Sequence, residues 1–74
     1  MTNEELPFSA ELVGRAVSFH MMRKRLSAVD LSFLTGIAKE RISEMERGET
    51  QMTQLELELI SGAVGCPPIT LFLP

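Results

Sequence analysis

Seventy-four residues carry ten acids against seven bases, a formal net charge of −3, and 45% of them are hydrophobic. A chain of that length builds one small domain with a modest core. One cysteine, Cys66, excludes an intramolecular disulfide, and a single cysteine with a single histidine cannot supply a zinc set.

A reducing, cytoplasmic setting is expected. The start shows no basic segment leading into an apolar one, and no apolar run approaches about 20 residues, so neither a signal peptide nor a membrane partner is expected.

Residues 1–8 are polar and end in Leu6-Pro7-Phe8, which reads as a flexible tail with one hydrophobic tether. Ser9 can cap a first helix, with Glu11 in the first turn where the helix dipole favours an acid. That helix is predicted over 10–24, because Leu12, Val13, Ala16, Val17, Met21 and Met22 recur at three and four residues. The run Arg23-Lys24-Arg25 suits its C-terminal end. Ser27 caps a second helix and Asp30, three residues on, makes a capping box with a shorter acid than usual. This helix runs to about Leu34 and stops at Gly36.

A third helix is predicted from near Ala38 to Arg47, with Gly48 as the residue that ends it. Leu31, Leu34, Ile37, Ile42 and Met45 give the two short helices their inward sides. Thr53 caps a fourth helix with Glu56 as its box partner. Leu55, Leu57, Leu59, Ile60, Ala63 and Val64 form its apolar face, and Gly65 ends it. The segment 66–74 is apolar after Pro67-Pro68, and is either a short fifth helix or an extended strip laid against a partner. Neither repeats nor strand alternation compete, so the fold class is all-α, with one domain over 9–74.

The turn Thr35-Gly36-Ile37 joins two short helices in the layout of a helix-turn-helix, about residues 27–47. Glycine there permits a positive φ at little steric cost. The third helix then becomes a surface probe and the task recognition. The chain offers no nucleophile–base set, metal cluster or Gly-rich phosphate loop, so neither catalysis nor a cofactor is expected. All seven bases lie between 15 and 47; less four acids, that segment carries +3, while each flank carries −3. A local field of that sign can steer a phosphate backbone despite the negative total.

The order Leu26-Ser27, Leu31, Thr35-Gly36-Ile37, Ile42-Ser43 and Glu46-Arg47-Gly48 resembles the Cro/phage-repressor family of helix-turn-helix proteins. The likeness extends to Gly14-Arg15 and Val17, and to Thr53, Leu57, Ile60, Ala63, Gly65 and Leu71-Phe72, so it spans residues 9–72. It implies a compact four- to five-helix domain, usually dimeric, whose third helix enters the major groove of operator DNA. By position, the resemblance places base-edge contacts at Lys39, Glu40, Ser43 and Glu44. It places phosphate contacts at Arg41, Arg47 and the helix starts at Ala28 and Ala38. The dimer interface falls on Ile69, Leu71, Phe72 and Leu73.

Three positions depart from the family's pattern. Ala28 stands where a phosphate-clamping glutamine is common, and Ala38 stands where serine or threonine caps the third helix. Met21 replaces an arginine that pairs with a buried glutamate matching Glu46, which leaves Glu46 to His20, Arg23 or solvent. Two acids, Glu40 and Glu44, lie one turn apart on the side that would face the groove.

Two functions therefore stay open. One is a bacterial or phage transcriptional repressor, binding an operator as a homodimer. The other is a protein-interaction module, such as an antitoxin bound to its toxin or an antagonist of another regulator. Phe33 bears on the choice, being either a locally packed ring over Val29 or part of an apolar patch for a protein. His20 reads as a packed histidine, the methionines as core filler and Cys66 as a small buried hydrophobe.

Overall fold

The chain folds as α1 (Ala10–Lys24), α2 (Ala28–Thr35), α3 (Lys39–Glu46), α4 (Gln54–Val64) and a 3-10 turn (Pro68–Thr70). The computed structural model describes residues 4–72, and the backbone alone of Ile69. Leu73, expected at a dimer interface, lies outside the described residues, as does the side chain of Ile69.

The caps form where the sequence places them. Ser9 Oγ accepts from Leu12 N–H at 3.1 Å. Ser27 and Asp30 complete a reciprocal capping box, as do Thr53 and Glu56. Gly36 and Gly65 close α2 and α4 in the left-handed region, at φ 78° and 76°. Helix α1 closes the same way without glycine: Arg25 sits at φ 57°. Its N–H reaches Met22 O at 3.1 Å and the next N–H, of Leu26, reaches Met21 O at 2.9 Å.

The core is made by Val13, Val17 and Met21 of α1, Leu31 of α2, Ile42 and Met45 of α3, Met52, and Leu57, Ile60 and Val64 of α4. Two residues expected inside are outside, Met22 at 79% exposure and Leu34 at 54%. Met22 is one 100° step beyond buried Met21, and α1 covers only one face. The eight-residue α2 fully buries Leu31 alone. Gly14 lets α1 meet the end of α3 backbone to backbone, since a Cβ there would lie 2.9 Å from Gly48 N and 3.0 Å from Met45 O.

Described residues near each end of the chain depart from expectation. Residues 4–8 are pinned: Glu5 pairs with Thr53 in an isolated antiparallel bridge, Leu6 N–H bonds Met52 O at 2.8 Å and Gln54 N–H bonds Glu4 O at 2.8 Å. Phe8 packs on Phe72 with ring centroids 4.3 Å apart. Leu71 is likewise turned inward. It is 1% exposed and belongs to the core, and its carbonyl accepts a 2.8 Å bond from buried His20 Nε2. Leu71 is therefore spent inside the chain rather than offered to a second copy. Among the described residues, no helix is long and apolar enough to cross a membrane.

Candidate nucleic-acid interface

Helices α2 and α3 are locked by their turn. Thr35 Oγ1 donates to Leu31 O at 2.7 Å and accepts from Ile37 N–H at 3.1 Å, while Ser32 Oγ donates to Ile37 O at 2.5 Å. Behind them, Leu31 and Ile42 are fully buried. Helix α3 turns Ile42 and Met45 into the core. Its other side brings together Lys39, Glu40 and Glu44, all exposed, with Ser43 half-buried beside them.

The helix starts differ. Ser27 caps α2 ahead of half-buried Ala28, whereas Ala38 gives α3 no side-chain cap. The first N–H groups of a helix have no partner within it, and the dipole adds partial positive charge there. The exposed start of α3 is thus an open set of donors.

The two arginines of α3 and its end differ more sharply. Arg47 pairs with Glu49 through two 3.0 Å bonds, but both side chains are more than half exposed. That pair is solvated and easily exchanged. Arg41 is held from several sides. Its Nε donates to Glu56 Oε2 at 2.7 Å, Nη2 to Glu56 Oε1 at 3.0 Å and to Gln51 O at 2.8 Å, and Nη1 to Thr50 Oγ1 at 2.6 Å. Four bonds leave the guanidinium one N–H unspent.

Glu56 does two things at once, because Oε1 also accepts from Thr53 N–H at 2.9 Å. Burial pushes its carboxyl up, yet the bonds from Arg41 and Thr53 outweigh that, and the net direction is down. The same contact raises Arg41. Asp30 is lowered by its bonds with Ser27, and Glu49 by those with Arg47.

Glu46 finds neither partner suggested by the sequence. His20 bonds Leu71, and among the described residues no ion pair reaches Glu46. Met21 is buried, and α1 reaches the end of α3 through a 3.4 Å bond from Ser18 Oγ to Glu46 O.

Sequence reasoning missed the Arg41–Glu56 clamp. Its partners are fifteen residues apart across a loop, and a capping box already accounted for Glu56. Phe33 is also resolved: at 88% exposure it is not locally packed. With Val29 at 59% and Leu34 at 54%, it gives α2 an apolar outer face.

No family model matches the chain, and no curated protein does. Among solved structures it is similar to the restriction-modification controller protein C.AhdI from Aeromonas hydrophila. The identity is 26% and the TM-score 0.76, with 84% of this chain and 97% of that one covered.

Proposed function

We propose that this chain, a Cro/C1-type helix-turn-helix protein by its fold, is a DNA-binding transcriptional regulator that represses from an operator as a homodimer. The observation that carries the reading is the outward side of α3, left open by the packing of α2 and begun by uncapped N–H groups. A controller protein of the same fold supports a regulatory task.

In this reading Lys39 and Ser43 donate to base edges, and Glu40 and Glu44 accept from cytosine amino groups, the contact a carboxylate can make in the major groove. The helix starts at Ala28 and Ala38 hold phosphates through backbone N–H groups. Arg47 exchanges Glu49 for a phosphate. Arg41 is withdrawn from the phosphate-binding set, because four of its five donors are spent within the chain. The dimer interface is proposed around half-buried Phe72, with Ile69 and Leu73; Leu71 supports it only from the core side.

A labelled DNA fragment from upstream of the chain's own reading frame, titrated at two salt concentrations against a scrambled competitor, tests this. Competitor-resistant binding that weakens with salt is expected. No binding at low salt overturns the proposal.

The apolar outer face of α2 favours a second reading, a protein partner such as a toxin or another regulator. Phe33→Ser then leaves DNA affinity unchanged and abolishes the partner's binding. Loss of DNA affinity in that variant counts against this assignment.

A further inference from the structure

We propose that Arg41 and Glu56 act as a positioning pair that sets the pitch of α3 against DNA, with Arg41 touching no phosphate itself. The inference rests on the DNA-binding reading above. Arg41 lies in the middle of α3, and its bonds go to the loop after that helix and to α4, with none to Lys39, Glu40 or Glu44. It reaches the loop at Thr50 and Gln51 and the first turn of α4 at Glu56. The bidentate geometry fixes the guanidinium plane, which a single ammonium contact could not do.

The carboxylate is itself held. Glu56 is only 13% exposed and is bonded to Thr53 N–H, and Thr53 in turn pairs with Glu5 in the N-terminal bridge. A line of polar contacts therefore ties the probing helix to the α4 cap and to Glu5. Elsewhere the grip on α3 comes from buried Ile42 and Met45, which are less directional, and from a single 3.4 Å bond of Ser18 Oγ to Glu46 O. With no side-chain cap at Ala38, the clamp restrains the rotation of α3 about its axis through four bonds, against the one that Ser18 makes among the described residues. Rotating α3 would carry Glu40 and Glu44 from base edges toward phosphates, where their charge repels. Positioning thus decides specificity in a helix with two acids on its reading side.

Two variants separate this from direct contact. Arg41→Gln removes the clamp together with the cation. Glu56→Gln keeps the capping box, since glutamine serves at that place, but removes the charged partner. Binding of each full chain to a site selected by the wild type, and to scrambled duplex, is measured across a salt series. Temperatures are chosen where circular dichroism shows all three chains folded.

Both variants are expected to lower the preference for the selected site by about tenfold, the discrimination worth of one base pair. The slope of log affinity against log salt stays unchanged in Arg41→Gln. A slope shallower by about one in Arg41→Gln, or steeper by about one in Glu56→Gln, identifies Arg41 as a phosphate ligand and overturns the proposal. An unchanged preference with lowered thermal stability shows a purely structural clamp and overturns it too. Failure of the wild type to bind any duplex overturns the DNA reading itself, a result distinct from these.

Discussion

Glu56 shows how much one side chain can carry. The acid completes the cap of α4 and anchors Arg41, and its carboxyl is held below the ordinary value of 4.5. A carboxylate depressed in the folded state stabilises at pH above its unfolded value, and that stability is lost as pH falls through the folded one. Wild-type thermal stability is therefore expected to exceed that of Glu56→Gln at neutral pH, with the gap closing as the pH is lowered below 4.5. Curves that stay parallel down to about pH 3, below the ordinary carboxylate range, contradict that assignment. Asp30 and Glu49 are shifted in the same direction, but their solvent exposure screens the effect and they add little to the trend.

Arg25 makes the opposite point about single residues. It occupies a left-handed conformation that crowds its Cβ against the following carbonyl, at a cost of about 1–2 kcal/mol. Arg25→Gly relieves the strain but widens the unfolded ensemble, so a gain of up to about 1 kcal/mol is expected. A chemical-denaturation midpoint measures it, and a loss of stability would show that the Arg25 side chain makes a compensating contact.

At the scale of elements, what the sequence makes legible is what lies within a turn or two. Ser9, the Ser27–Asp30 box and the Thr53–Glu56 box each act across three residues, so the helix starts can be read directly. Gly36 and Gly65 mark ends by the same local logic. The outward placement of Lys39, Glu40, Ser43 and Glu44 follows from helical spacing once Ile42 and Met45 are assigned inward. The Arg41 clamp, the bridge from Glu5 to Thr53 and the return of Leu71 to the core leave no such trace. Each joins residues distant along the chain, and no periodicity encodes that pairing.

Of the four α-helices, α3 alone starts without a side-chain cap, and that is measurable. Ala38 lies in an extended conformation, φ −57° and ψ 138°, from which a hydroxyl could accept the free N–H groups of the first turn. Ala38→Ser is expected to add about 1 kcal/mol, a thermal midpoint about 4–8 °C higher for a domain of this size. An unchanged midpoint would mean that the start of α3 is already satisfied.

For the whole molecule, the electrostatics are divided between surface and frame. Of the seven bases, Arg41 is spent on internal structure and Arg47 on a solvated pair, while Lys39 shares the outer side of α3 with two acids. If α3 reads DNA as proposed, its own bases contribute little phosphate neutralisation, and base discrimination carries a larger share of what that helix does. Segments 4–8 and 71–72 reinforce the frame that presents α3, through Leu6 on Met52, Phe8 on Phe72, and Leu71 under His20. On the proposed reading, a protein built this way would read DNA through one short, clamped helix.

Selection of duplexes from a random-sequence pool by the full chain at low salt puts that claim to trial most directly. The account predicts enrichment of a defined site containing cytosines, in two copies about one helical turn apart. A pool that binds without enrichment, or does not bind, contradicts it.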